Sequence, residues 1–485
     1  MSSKSINAIE TGKVQQAGKY SMSLTSVLSP EIFLPLFMLG FYLVGETLVQ
    51  FSFRALIIIL LGVGSYLISV GVAKKLVGSA IGAIDSQNTS NSQDLQNKQS
   101  PRDYAGKVPY IEHDYFEHLL LSFLALFIVD IIAKGFLPFM IRVPLYFAII
   151  LFAFYIIKKT KLELSGKHFL ALGLTMILIY VGPAFVKYGL YGSYLNRTGG
   201  LMPAFLVGMG TITTIYGLMK TASRLSNRNL YIMIAFITVV AGPLMAALIG
   251  YRAYAIIYIL PLIFQYYLER KVPVGLKNSF IAISVIAFIF MYTYFATSVT
   301  RGVIYMFAPL DNHAPKFVVE SMENGHYTDK DMRVDNAEAR SKFITRPFFT
   351  YKVFLDVIEA SYPWGKSHGR LIASLMPGMT KGRATTISIL KKPLSTSFFG
   401  LSFLEFGFAG VAIYGVLLGF CLGVISLYKR RYIYALTLTI VMLWLDTGPS
   451  VWWHWLPFAT AFPAFVSIYL TKGKLKNGSA KQASV

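Results

Sequence analysis

The sequence predicts an all-α polytopic membrane protein of about twelve transmembrane helices, with a large external loop between spans nine and ten. Three observations carry that reading. Hydrophobic residues make up 55% of the chain and charged ones 14%, with a mean hydropathy of +0.56. That leaves too little polar surface for a water-soluble globule, whose charged share is about a quarter. Apolar runs of about twenty residues, the length a helix needs to cross hydrocarbon, recur along the chain. Lys and Arg gather at alternate links between those runs, as charges that orient spans do.

Taken in order, the spans fall at roughly 31–50, 54–73, 118–138, 143–158, 168–187, 200–220, 230–249, 252–268, 278–299, 398–427, 432–449 and 451–471. The fourth is the shortest. Mostly polar residues precede the first run, and no small-residue cleavage pattern follows a short apolar core, so the first span is expected to be retained. Lys74 and Lys75, then Lys158, Lys159 and Lys161, then Lys220, Arg224 and Arg228 follow every second span. Arg270, Lys271 and Lys277, and then Lys429, Arg430 and Arg431, continue the series. Lys472, Lys474 and Lys476 follow the last span. The positive-inside rule puts these clusters and both termini in the cytoplasm of a multi-pass plasma-membrane protein.

The organisation that results has three parts. Residues 1–299 hold spans one to nine, interrupted by a cytoplasmic loop at 76–116 that is expected to be disordered, since its centre reads DSQNTSNSQDLQNKQS. Residues 300–397 form the external loop, mixed in charge and mildly basic. Residues 398–485 hold spans ten to twelve and a cytoplasmic tail. No internal repeat is visible, and the long insert is not midway, where a transporter built from two six-span halves would carry it.

The formal charge of +22 would suggest nucleic acid in a soluble protein. Here the basic residues sit beside apolar runs, with no basic groove of interleaved aromatics, so no nucleic-acid partner is expected. Cys421 is the single cysteine and lies in an apolar run, which excludes a disulfide framework and a cysteine-ligated metal.

Ionisable groups are costly inside a span, so their depth is informative. With the orientation above, Glu46, Arg54, Arg142, Arg252, Arg301, Glu405 and His454 fall toward the outer halves or ends of their spans. That bias suggests a polar chamber open to the outside, although any single Lys or Arg also fits an interfacial anchor. Arg252 stands at an outer hairpin, where its planar fork and permanent charge suit a diphosphate. In the external loop, 345–359 reads as a helix entered through Arg346-Pro347, with Phe348, Tyr351, Leu355 and Ile358, joined by Phe354, as an apolar stripe expected to lie along the membrane surface. A Gly- and Pro-punctuated turn, Tyr362-Pro363-Trp364-Gly365-Lys366-Ser367-His368-Gly369-Arg370, follows it. Lys381 and Arg383 then lead to Lys391-Lys392-Pro393. The pattern reads as an anion-binding loop over a membrane cavity, against the alternative of a solvated basic connector.

Pro393-Leu394-Ser395-Thr396-Ser397-Phe398-Phe399-Gly400, running into Leu404-Glu405-Phe406-Gly407-Phe408-Ala409-Gly410-Val411, resembles the end of the external loop and the following span in oligosaccharide repeat unit polymerases, the O-antigen polymerase group. Gly250-Tyr251-Arg252 is similar to that family's outer-hairpin element, and Arg346, His368-Gly369-Arg370 and Met376-Pro377 sit at corresponding places in the late loop. Gly378 follows Pro377 where the family has an Arg, so that basic role moves to Lys381 or Arg383.

The resemblance implies an enzyme that joins polyprenyl-diphosphate-linked glycans on the outer face of the membrane, with membrane lipids around it and a chain-length regulator and a flippase as candidate partners. It implies Arg252, Arg301, Arg346, Arg370 and Lys381 as the diphosphate site, and His368, Glu405 or His313, in that order, as the base for the acceptor hydroxyl. No metal and no cofactor are expected, since Asp329-Lys330-Asp331 has a metal-like spacing in an unsuitable polar stretch. The alternatives are a ligase-like lipid-sugar transferase and a transporter of lipid-linked oligosaccharide.

Overall fold

The structure is a computed structural model that describes residues 28–48, 51–93, 110–133, 139–160, 163–195, 201–241, 252–270, 346–368, 397–447 and 456–482. Among these residues the chain forms twelve α-helices and one π-helical segment, with no β-strand. They are α1 (Phe33–Leu48), α2 (Phe53–Gln93), α3 (Tyr115–Ala133), α4 (Phe139–Thr160), α5 (Gly166–Leu195) and α6 (Leu201–Ala222). α7 (Asn227–Phe236) passes into the π segment Ile237–Ala241, and α8 (Arg252–Arg270), α9 (Arg346–Ser361), α10 (Phe398–Ile425), α11 (Arg431–Thr447) and α12 (Leu456–Gln482) complete the series. A helix lies within each expected span except the ninth. Residues 278–299 lie outside the described residues, as does most of the expected external loop.

The burial pattern of α2 explains why lipid suits this chain. Ala55, Ile58, Ile59, Tyr66, Val70 and Ala73 are buried, while Phe53, Ile57, Leu60, Ile68, Val72 and Leu76 on the other side are exposed. A helix that is apolar on both sides has no face for water. Ile68 is 70% exposed and Leu151 of α4 is 68% exposed. Such surfaces are costly in water and cost nothing in hydrocarbon. The segment Phe53–Gly82 of α2 and the whole of α10 are long and apolar enough to cross a membrane.

Among the described residues, these two helices pack closely along much of their length. Ser65, Ser69 and Ala73 of α2 meet Gly415, Gly419 and Gly423 of α10, and the contacts advance in step along both, so the helices run parallel. A Cβ on Gly419 would stand 2.9 Å from that of Ser69, and one on Gly423 would stand 2.8 Å from that of Ala73. The Ser69 hydroxyl donates across the gap to the Val416 carbonyl at 2.7 Å. Lipid offers no hydrophobic force between helices, so small residues that allow dispersion contact and an interhelical hydrogen bond supply the adhesion. α5 and α6 use the same device in antiparallel sense, with Gly166 facing Gly217 and Gly173 facing Gly210.

Two local expectations change. α2 remains helical through Gln93, well into the segment read as disordered from 76. Val77, Ala80 and Ile81 continue the buried stripe set by Val70 and Ala73, so tertiary contact supports the helix as far as Ile81. α9 forms as expected, but its buried residues are Tyr351, Val353, Phe354, Val357 and Ile358, with Leu355 only partly covered. It packs on α1 and α10 rather than presenting this face to headgroups. Gly45 of α1 leaves the space that the Tyr351 ring fills, and the Phe354 ring lies 6.3 Å from that of Phe399.

Candidate functional site

α10 begins at an N-cap in which the Ser397 side chain accepts the Gly400 backbone N–H at 3.2 Å. It then kinks. Phe406 (φ −140°, ψ 27°) leaves helical geometry, and Gly407 (φ 59°, ψ −136°) occupies a region that only glycine adopts readily. A break of this kind frees carbonyls in the turn before it, and they need new donors.

The turn after α9 supplies those donors. The backbone N–H groups of Lys366 and Ser367 donate to the Leu404 carbonyl at 2.7 and 2.9 Å, and that of His368 donates to the Glu405 carbonyl at 3.0 Å. The Gly365 N–H donates back to the Ser361 carbonyl at 2.8 Å, closing the end of α9. Gly365 (φ 78°) is a second required glycine: a Cβ there would stand 2.7 Å from the Gly407 nitrogen and 2.8 Å from the Leu404 carbonyl oxygen. A Cβ on Gly407 would overlap the Pro363 carbonyl. Two motifs some forty residues apart in sequence thus form one clasp.

His368 and Glu405, both candidates for the base, meet in this clasp. His368 has a positive φ of 42°, its side chain is exposed, and its ring centroid lies 6.3 Å from that of Phe406. Glu405 is 0% exposed. The Arg54 guanidinium, at the start of α2, stacks on the Tyr362 ring at 4.5 Å. Of the expected diphosphate-binding residues, Arg252 is the first residue of α8 and Arg346 the first of α9. Arg301, Arg370 and Lys381 lie outside the described residues, as does His313.

A second polar centre lies at the other end of the same helices. Roughly nineteen residues of α10 separate the kink from Ser426, a rise of about 28 Å, close to the thickness of the hydrocarbon layer. There Asp114 caps α3, its Oδ1 accepting the Glu117 N–H at 3.0 Å. Its Oδ2 accepts from the Tyr216 hydroxyl at 2.6 Å, the Tyr432 hydroxyl at 3.0 Å and Arg430 at 3.2 Å. Glu117 accepts from Lys220 Nζ at 2.5 Å, from Tyr216 at 3.0 Å and from the Leu164 backbone N–H at 2.9 Å. Asp114, Glu117, Lys220 and Tyr216 are all buried, and two carboxylates face two cations.

Around this centre the segment 110–114 is stapled to the α10–α11 turn. Ile111 donates to the Leu427 carbonyl at 2.8 Å, and Lys429 donates back to the Ile111 carbonyl at 3.0 Å. Burial by itself would lower the Arg430 pKa, but Tyr432 and Asp114 beside it outweigh that and hold the guanidinium above its ordinary value. The hydrogen bond and charge of Lys429 lower the exposed Glu112 carboxyl. Sequence reasoning missed this centre, although Asp114-x-x-Glu117 before an apolar run is a legible capping signal.

These features define a class: an all-helical protein with helices of membrane-crossing length and character, in which a late turn closes on a broken helix. The family model described as "Putative O-antigen polymerase" matches residues 331–458, the family that the late-loop motifs resemble. The matched segment contains both halves of the clasp, together with α9, α10 and α11. No curated protein and no solved structure matches the chain.

Proposed function

We propose that this protein polymerises oligosaccharide repeat units carried on a polyprenyl diphosphate, at the outer face of the cytoplasmic membrane, for a surface polysaccharide. The observation that carries the reading is the clasp. The segment matched by the family model brings His368 and Glu405 onto one backbone-bonded unit at the α10 kink.

The reaction asks two things of the protein. The bond between the anomeric carbon of the growing glycan and its diphosphate oxygen breaks, and the lipid diphosphate departs with the electron pair. Arg252, Arg301, Arg346, Arg370 and Lys381 are the groups proposed to stabilise its charge. A new glycosidic bond forms between that anomeric carbon and a hydroxyl oxygen of the incoming unit, whose proton passes to a base. His368, exposed on the turn, is the group proposed to take it, with the buried Glu405 as the second candidate. Orientation follows from the charge clusters of the sequence: the clasp outside, the Asp114 centre in the cytoplasm.

Deleting the chain in its host and resolving the lipid-linked and surface glycans on a gel tests the proposal. Capped single repeat units without a ladder are expected. Lipid-linked units accumulating on the inner face would mean transport instead. Replacing Arg252 or Arg370 by Ala is expected to shorten or abolish the ladder, and native ladder length in both variants removes them from the diphosphate site.

A further inference from the structure

The clasp presents more than a candidate base. Trp364 is 77% exposed and Tyr362 is 47% exposed, two large aromatic rings on a short turn. The turn is not loose. Gly365, Lys366, Ser367 and His368 are each tied by backbone hydrogen bonds, Pro363 packs into the space left by the absent Cβ of Gly407, and Tyr362 is pinned between Arg54 at 4.5 Å and the edge of Phe408 at 5.9 Å. A backbone and a Tyr362 ring held this way lose little further freedom when something stacks on the turn.

We infer that Trp364 and Tyr362 form a stacking platform for the glycan, four and six residues before His368, with the sugar face lying on the indole. The inference rests on the polymerase reading and adds a binding subsite to it. Sugar rings expose a face of C–H groups that packs on the flat face of an aromatic side chain, while their hydroxyls seek polar neighbours. Lys366 and His368 are exposed on the same turn and supply them. The competing occupant of an exposed Trp at this depth is the lipid interface. An interfacial anchor has no use for a backbone clamped at four successive residues or for a cation stacked on the adjacent Tyr, whereas a subsite that must hold a sugar beside a base needs both.

The test uses the full chain, purified in detergent and titrated with oligosaccharide fragments released by mild acid from the host's own surface polysaccharide. Trp364→Phe is expected to keep binding within a few-fold. Trp364→Leu and Trp364→Ala are expected to weaken it about tenfold or more, because Leu keeps apolarity but has no planar face. In cells the same Leu and Ala variants are expected to shorten the glycan ladder at unchanged membrane abundance. Native binding by Trp364→Leu overturns the platform and leaves a lipid anchor. If deletion of the chain spares the ladder while fragment binding still depends on Trp364, the polymerase reading fails and the platform stands. If deletion removes the ladder while Trp364→Ala binds as the native chain does, the platform fails and the polymerase reading stands.

Discussion

Gly407 and Lys220 show how single residues set the two ends of the molecule. Gly407→Ala meets both a positive φ and the Pro363 carbonyl, so the turn must leave the kink. The expected result is loss of the glycan ladder with α10 still inserted, read by gel and by membrane abundance. Lys220→Met leaves Glu117 buried without its cation, a change that typically costs about 3–5 kcal/mol. Thermal melting of the purified protein should fall by several degrees and recover in part in Glu117→Gln/Lys220→Met. An unchanged melting temperature in the single variant would show that the pair is not buried as described. Motif and depth single out His368 and Glu405 in the sequence, and the fold joins their backbones in the clasp. The clasp itself was not legible, because its bonds run between backbone groups of distant segments and leave only glycines as a trace. The Asp114 centre is hidden in the sequence for a related reason: Lys220 and Arg430 fit the pattern of charges that orient spans, a role that conceals their partners.

At the scale of elements, pairing depends on small residues rather than on amphipathic stripes. Apolar runs located the helices, because a span needs about twenty such residues. Which helix touches which was not legible from hydropathy, since lipid-facing and protein-facing sides of α2 are equally apolar. The Gly415, Gly419 and Gly423 spacing is the readable exception. A Cβ on Gly415 would lie 3.4 Å from the Ser65 Cβ, near the separation of about 3.8 Å that a disulfide needs. Ser65→Cys/Gly415→Cys in a Cys421→Ala background is therefore expected to cross-link on mild oxidation, seen as a mobility shift reversed by reductant. Ser65→Cys/Gly423→Cys, displaced by two turns, should not. Cross-linking of the second pair alone would contradict the register. The extension of α2 from 76 to Ile81 and the inward packing of α9 are likewise set by contacts that local composition does not contain.

For the whole molecule, the two polar centres imply a sidedness: the clasp near the N-terminal ends of α2 and α10, and the Asp114 centre at the C-terminal end of α10. A cysteine at exposed Lys366 is expected to react with a membrane-impermeant maleimide in intact cells, and one at exposed Lys429 only after the membrane is opened. Equal labelling of both would undo the orientation. The central claim, that the clasp is where repeat units are joined, is tested most directly by His368→Asn. Asn tolerates the positive φ, so the backbone is kept while the imidazole is lost. Loss of a general base typically costs about 10²–10⁴ in rate, so the surface glycan should run as single capped units with the protein at native abundance. A native ladder from that variant would contradict the account.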